Sequence, residues 1–573
     1  MPFSRLPILS LRVATLGASL VTAALGCDAP APMDAGGSDA GAEPDAGIDA
    51  GAPLPCDGAP GTYHEQSFLH DGEERYYFLY VPSTYRCEDA HAMWVDFHGS
   101  YGVVPGARPE EAYTHEDVVA LAEELGMILV RPRSRPVNNF FWDGGGPADL
   151  ADNQAFAREL VADLMGRYHV DPDRIYASGY SSGSNMAASF LVDPASPFSG
   201  LAVFAGALWA PAPLRGRAYD DPPRVYLATG FRDLHRTYTD AMIAAMDTFP
   251  AERLFSRETD AGHVLDAWNY REAYHFFEGE GRPDPGVLAS GWDDDLSAAD
   301  GATILEAEVD PTGTLFISDA RGRVCRRDAD AWTTVYAAAP ERPFASLAIG
   351  DTSGYVAALD SVFVRDGDSF TQATLPTAAL GFAYHYAASG DATEGWIAGT
   401  TAYVTTDGGH TFTEIETQAY YSVQAIERAA GGTALAVGAY SFLGRRPAGG
   451  AFTPIAPPMA DLWLNAAASL PGSASFAVAG AAGAIFVSAD DALTFHAATS
   501  GTSEDLYAVD FADASVGAVG GAHGTVLVTQ DGGETWTDAS TGLDAMIADV
   551  AWLDATTLIA VGEGGAVLRL HVD

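Results

Sequence analysis

A chain of 573 residues is too long for one ordinary hydrophobic core and implies roughly two to four domains. Its formal charge of -47 and pI near 4.3 serve solubility and disfavour nucleic acid and anionic membrane surfaces as partners. Every one of the 30 basic residues is arginine, which excludes lysine-based catalysis or cofactor linkage.

At the N-terminus, Arg5 and Arg12 precede an apolar stretch over 13–25, too short to span a bilayer, which ends at Ala24-Leu25-Gly26-Cys27. This segment resembles a bacterial lipoprotein signal, which implies that Cys27 is lipidated and becomes the mature N-terminus. Cleavage by ordinary signal peptidase, giving a free secreted protein, is the alternative. Residues 28–58 carry Ala, Gly, Pro and Asp repeats such as Asp34-Ala35-Gly36 and Asp45-Ala46-Gly47. Such composition cannot bury a core, so a disordered acidic tether is expected. Either processing route places the chain outside the cytoplasm, with membrane contact only through a lipid anchor. In an oxidising compartment Cys56 and Cys87 are the candidate disulfide, with Cys325 left as a single buried thiol.

From 59 to 283 short apolar strands alternate with helical stretches, which predicts an α/β domain with a largely parallel sheet. Strands are expected at 76–81, 93–97, 127–131, 174–178, 200–204 and 225–229. Helices are expected at 115–125 and 153–168, the second carrying Phe156, Leu160, Val161 and Leu164 at helical spacing.

Within this region Gly179-Tyr180-Ser181-Ser182-Gly183 stands between a strand and the helix-like 184–191. A G-x-S-x-G elbow needs glycine on both sides because its turn is tight and the strand and helix backbones pass close together. A serine at that apex is a candidate nucleophile, and it needs a base and an acid to orient the base. Asp233, just past the strand at 225–229, lies on the same sheet edge as the elbow; Asp240 is its rival, and capping a helix is its bland alternative. His263, in Asp260-Ala261-Gly262-His263-Val264 before the helix expected at 265–277, is the candidate base, with His235 and His275 as competitors. The oxyanion hole calls for two backbone N–H donors, from Ser182 and from Ser100 in the loop His98-Gly99-Ser100-Tyr101-Gly102. Phe141 and Trp142, with Tyr180 and Tyr101, are candidates for a substrate pocket; covering the sheet edge is the equal alternative for the loop around Phe140, Phe141 and Trp142, and Trp209 shares that ambiguity.

The stretches Tyr76-Tyr77-Phe78-Leu79-Tyr80-Val81-Pro82, His98-Gly99, and Val170-Asp171-Pro172-Asp173-Arg174-Ile175-Tyr176 running into the elbow resemble the feruloyl esterase and polyhydroxybutyrate depolymerase group of α/β-hydrolases. The resemblance covers roughly two-fifths of the chain and implies carboxylic ester hydrolysis through an acyl-enzyme. It implies no cofactor and no metal. Ser182 stands where many relatives have asparagine, and Ala148-Asp149-Leu150-Ala151-Asp152 departs from the group's usual Asp-Asp-Val, so Asp149 and Asp152 receive no role.

From 284 to 573 the pattern changes to short strands, glycine turns and a repeat. Thr405-Thr406-Asp407-Gly408-Gly409-His410-Thr411-Phe412 recurs as Thr529-Gln530-Asp531-Gly532-Gly533-Glu534-Thr535-Trp536 and, worn, as Ser488-Ala489-Asp490-Asp491-Ala492-Leu493-Thr494-Phe495. The aromatics Trp332, Phe370, Phe412, Phe452, Phe495 and Trp536 are spaced by 38, 42, 40, 43 and 41 residues. A period near 40 is one four-stranded blade. The pattern resembles the Asp-box of BNR and sialidase-type β-propellers, and 511–520 with 526–529 resembles propellers of photosystem assembly factors and plant-cell-wall-binding proteins. About seven blades are expected, with a strand over 286–292 completing the last one. Asp-boxes are turn devices and carry no implication of sialidase activity.

Three functions compete on these residues. The first is an esterase whose propeller binds a polysaccharide, another polymer or a protein. The second is a non-catalytic adhesion or scaffold lipoprotein with a decayed hydrolase domain. The third puts a glycosidase in the propeller.

Overall fold

The computed structural model describes residues 58–572, except 101–107, 112–114, 136–140, 143–145, 231–232, 234, 260–266, 281–285, 295, 298–300 and short stretches between 329 and 421. The expected signal with Cys27, the tether and Cys56 therefore lie outside the described residues. Cys87 is disulfide-bonded, and Cys325 is a buried thiol.

The first part of the chain builds one eight-stranded sheet: β1 (Gly61–His70), β2 (Glu73–Val81), β3 (His91–Phe97), β4 (Ile128–Pro132), β5 (Val170–Tyr180), β6 (Gly200–Phe204), β7 (Arg224–Gly230) and β8 (Leu254–Thr259). Their order is β1-β2-β4-β3-β5-β6-β7-β8. The β1/β2 and β2/β4 pairs are antiparallel and the others parallel. Helices α1 (His115–Leu125), α2 (Pro147–Met165), α3 (Ser182–Ser189), α4 (Arg236–Ala245) and α5 (Ala267–Phe277) occur along the same stretch.

Alternation along β3 splits the core between the sheet's two faces. Met93, Val95 and Phe97 pack with Phe156, Leu160 and Leu164 of α2 and Met186 of α3. Trp94 packs on the other face with Val118 of α1 and Tyr270, Tyr274 and Phe277 of α5. Helix α2 begins six residues earlier than its apolar stripe suggests, because Pro147 is preset for the first helical turn. Its residues Phe156, Leu160 and Leu164 stack one turn apart, and their full burial is worth about 2 kcal/mol each.

The second part is a seven-bladed β-propeller. Seven four-stranded antiparallel sheets follow in order, and the seventh takes its outermost strand from far upstream. That strand, β9 (Trp292–Asp293), pairs Trp292 with Leu570 and Asp293 with Arg569. The closing strand is thus shorter and later than the expected 286–292; Gly286 contributes an isolated bridge to Leu543 instead.

The Asp-boxes close turns between third and fourth strands. Asp407 Oδ1 accepts the Thr411 N–H at 2.9 Å, its Oδ2 accepts the Thr411 hydroxyl at 2.7 Å, and the Thr405 hydroxyl donates to Oδ1 at 2.9 Å. Asp490 and Asp531 repeat the pattern with Thr494 and Thr535. Phe412 packs between blades, 6.1 Å from Tyr355 of the preceding one.

Candidate active site

Strand β5 ends at Tyr180 and α3 begins at Ser182, so Ser181 alone makes the turn. Its φ of 54° and ψ of -116° put a non-glycine residue in a sparsely populated region that costs about 1–3 kcal/mol. The surroundings hold it there. The Ser181 N–H donates to the Phe204 carbonyl of β6 at 3.1 Å, and its own carbonyl accepts the Ser184 N–H at 3.0 Å. The close approach that the two glycines permit is real: a Cβ on Gly179 would lie 1.9 Å from the Gly183 carbonyl oxygen.

The topology puts this turn at the sheet's switch point. The chain leaves β3 outward to β4 and returns on the other side as β5, so β3 and β5 flank the point where strand order reverses. At the end of β3 stand His98, Gly99 and Ser100; a Cβ on Gly99 would come within 3.4 Å of Ser181 Cβ and 2.9 Å of the Tyr180 ring. The 98–100 loop is therefore against the elbow. Ser182, 1% exposed, is the first helical residue of α3, where N–H groups have no intrahelical acceptor.

His98 is structural. Its Nδ1 lies 2.6 Å from the Gly99 carbonyl, and Nε2 accepts the Ser134 N–H at 3.2 Å. Burial, assisted by Arg131 and Arg133 and opposed by the Gly99 carbonyl, pushes its pKa down to about 3, so the ring is neutral.

Trp142 is not a pocket wall. It is fully buried, with its ring 5.1 Å from Phe97 and 5.0 Å from His98, and its indole N–H donates to the His98 carbonyl at 2.8 Å. Its own carbonyl accepts from Asn153 of α2, whose Oδ1 accepts from buried Arg75 at 2.6 Å. Trp142 is a strut behind the 98–100 loop. Phe141 and Tyr180 are partly accessible, and Phe141 lies 6.0 Å from Trp209. Tyr101 lies outside the described residues.

Asp233 is fully buried and follows β7 at the same sheet edge as Ser181. Its N–H donates to the Gly230 carbonyl at 3.1 Å, and its Oδ1 accepts the His235 N–H at 2.7 Å. Asp240 is instead paired with Arg236 at 2.7 Å on α4, its side chain 42% exposed. Among the competing histidines, His235 Nδ1 stands 4.0 Å from Asp233, and His275 pairs with Glu280 at 2.9 Å at the far end of α5. His263 lies outside the described residues, between Thr259 of β8 and Ala267 of α5.

One feature of the site was not expected from the sequence. Asp96 of β3 is buried beside Arg131 of β4 at 2.8 Å and accepts from Ser178 of β5 at 2.6 Å and Tyr270 of α5 at 3.1 Å. The signal was a carboxylate inside an apolar strand, which burial tolerates only with such partners.

No family model matches the chain. Part of this chain is related to an esterase. Over 145 residues it is 31% identical to the inferred esterase NocK of Nocardia uniformis subsp. tsuyamanensis, covering 24% of this chain and 40% of that protein. The chain thus spans less than half the length of that relative. Solved structures similar to the propeller are YCF48 bound to D1 peptide, at 17% identity over 50% of this chain and 97% of that one with TM-score 0.42, and YCF48 from Cyanidioschyzon merolae, at 14% over 49% and 99% with TM-score 0.42.

The propeller has a central cavity of about 520 Å³ whose described lining includes Glu306, Glu308, Glu427, Asp510 and Asp549 together with Arg428. Burial and the carboxylates of Asp549, Asp510 and Glu427 push Glu308 up to about 8, and burial with Glu427 pushes Asp510 up to about 7. Sialic acid hydrolysis requires an arginine cluster; Arg428 is one arginine among the described lining residues.

Proposed function

We propose that this chain is an extracytoplasmic serine esterase of the α/β-hydrolase fold, with residues 59–283 as the catalytic domain and 284–573 as a binding module. The observation that carries the proposal is Ser181: alone at a strained turn between β5 and α3, 8% exposed, at the sheet's switch point, with the 98–100 loop against it. Strain kept at one serine at a switch point of the sheet is expected of a nucleophile and not of an ordinary turn. Partial relatedness to an esterase supports the same chemistry.

In this mechanism Ser181 Oγ attacks the ester carbonyl carbon while His263 takes the hydroxyl proton and Asp233 holds the imidazole in the needed tautomer. The Ser182 and Ser100 N–H groups face the oxygen on which negative charge develops. Collapse of the tetrahedral intermediate breaks the bond to the alcohol, which leaves with the proton from His263. Water, deprotonated by the same histidine, then attacks the acyl-enzyme, and as the bond to Ser181 Oγ breaks the histidine returns that proton to Oγ and the acid is released. Tyr180 and Phe141 border the acyl group. The resemblance to feruloyl esterases and polyhydroxybutyrate depolymerases makes a feruloyl, hydroxyacyl or acetyl ester the substrate class, and the lipoprotein-type signal puts the enzyme at a membrane surface through Cys27.

The test is p-nitrophenyl acetate hydrolysis by the full chain and by Ser181→Ala. Activity in the first and loss of at least about a thousandfold in the second are expected. Activity in neither favours a non-catalytic scaffold, and activity surviving the substitution removes Ser181 as nucleophile.

A further inference from the structure

Strands β1 and β2 are joined by a two-residue turn, Asp71-Gly72, whose φ values of 46° and 80° are those an Asp-Gly hairpin turn adopts. The turn brings His70, the last residue of β1, and Asp71 to Asp152 and Glu159 of α2. His70 is 1% exposed, with its ring 5.8 Å from Phe156. Its Nδ1 lies 2.9 Å from Glu159 Oε2; a carboxylate accepts, so Nδ1 carries the proton and Nε2 is the nitrogen left to act as a ligand. That Nε2 is buried and makes no hydrogen bond, although Asp152 Oδ1 stands only 3.5 Å away. Asp71 completes the group: His70, Asp71 and Asp152 each offer one ligand atom within 4.8 Å of the other two.

The surrounding charges favour a cation at this point. Arg75 and Arg135 both take Asp152 Oδ2, at 3.3 and 3.0 Å, and leave Oδ1 on the His70 side. Arg135 is drawn off in turn by Glu73 at 2.7 Å and Asp149 at 3.9 Å. With Asp71 and Glu159, the carboxylates outnumber these guanidiniums. The donor set selects the ion: an imidazole nitrogen with carboxylate oxygens suits a divalent transition metal, whereas calcium and magnesium take oxygen alone. Ligand atoms of a tetrahedral zinc ion stand about 3.4 Å apart. His70 Nε2 and Asp152 Oδ1 already have that spacing, and Asp71, exposed on its turn, can rotate to close the remainder. A carboxylate on the far nitrogen, as Glu159 is here, is what orients a metal-bound imidazole.

We propose that His70, Asp71 and Asp152 form a binding site for a divalent transition-metal ion of the zinc class, with Glu159 orienting the imidazole and water in the fourth position. The ion staples the β1–β2 hairpin to α2. Strand β1 stands at the end of the sheet order, so the staple ties down a strand that has β2 alone beside it in the sheet. None of Ser181, Asp233 and His263 belongs to the site, and the proposal stands apart from the ester chemistry.

The experiment titrates zinc chloride into the untagged, metal-stripped full chain by isothermal titration calorimetry, for wild type, His70→Gln, Asp71→Asn and Glu159→Gln. Wild type is expected to bind with a Kd in the micromolar range or tighter. Asp71→Asn, which keeps a residue at ease at positive φ, and Glu159→Gln are expected to weaken binding about tenfold or more, and His70→Gln about a hundredfold or more. Zinc is also expected to slow backbone hydrogen exchange in peptides covering 61–81 at least about fivefold in wild type and not in Asp71→Asn, leaving peptides covering 506–529 unchanged. Absence of micromolar binding overturns the proposal and leaves His70 as a partner of Glu159 and Asp152 only. Binding that every variant retains in full places the ion elsewhere and overturns it equally. Weakened binding without slower exchange in 61–81 overturns the staple, and calcium bound as tightly as zinc overturns the class of ion. Should His70→Gln fail to fold, Asp71→Asn, at an exposed turn position, decides by the same two readouts.

Discussion

A Cβ on Gly183 would lie 1.9 Å from the carbonyl oxygen of Phe97, so α3 and β3 meet backbone to backbone two residues beyond Ser181. No side chain can yield there. Gly183→Ala must push the helix off the sheet and is expected to cost about 3 kcal/mol or more. Urea unfolding of the variant measures this, and a loss under about 1 kcal/mol contradicts the packing.

Ser181 itself carries strain. Both Ser181→Ala and Ser181→Gly remove the hydroxyl, but only glycine is at ease at φ 54°. Ser181→Gly is therefore expected to be more stable than Ser181→Ala by about 1 kcal/mol, both being inactive. Paired thermal unfolding curves decide it, and equal midpoints would mean the turn stores no strain.

Trp142 separates a strut from a pocket wall. Trp142→Phe leaves the His98 carbonyl without its indole donor and is expected to cost about 1–3 kcal/mol in stability. Because the 98–100 loop shifts with it, kcat on a small ester falls while KM stays close to wild type. A raised KM with unchanged kcat would return Trp142 to the pocket.

The elbow was legible because its physical demands fall on sequence-local residues: two glycines, a serine, an apolar strand before and small residues after. The blades were legible for the same reason, since Asp407 and Thr411 satisfy one another within a single turn. What escaped were relations that only the tertiary fold makes. Strands β1 and β8 stand at the sheet's edges, and neither Gly61–His70, with alternate residues exposed, nor Leu254–Thr259, with Arg257 buried among polar neighbours, carries a clean apolar run. Trp142 read as a loop aromatic because nothing in its neighbourhood announces a hydrogen bond to a carbonyl 44 residues earlier. The contact between Arg257 of β8 and Asp544 of the propeller, 3.4 Å apart, spans 287 residues and leaves no local pattern at all.

The propeller's stability should depend on pH with a definite sign. Glu308 and Asp510 are raised by burial to about 8 and 7 in the folded chain, above ordinary carboxyl values, so folding favours their protonated forms. Their contribution is complete below about pH 4 and is lost as pH rises through 7 and 8. Asp407 and Asp490, held down to about 2 chiefly by the Thr411 and Thr494 hydroxyls, contribute above about pH 4 and lose it as pH falls toward 2. Thermal midpoints should peak on the acid side of neutrality and decline toward pH 9, and Glu308→Gln should flatten that decline. A midpoint that climbs from pH 5 to 9 contradicts the assignment.

Covalent trapping tests Ser181 as the nucleophile most directly. The full chain is treated with a fluorophosphonate, digested, and the adduct located by mass spectrometry. A nucleophilic Ser181 predicts one phosphonylated peptide, containing Ser181, with hydrolysis of p-nitrophenyl acetate lost in step and no adduct in Ser181→Ala. An adduct on another serine, or none while hydrolysis continues, contradicts it.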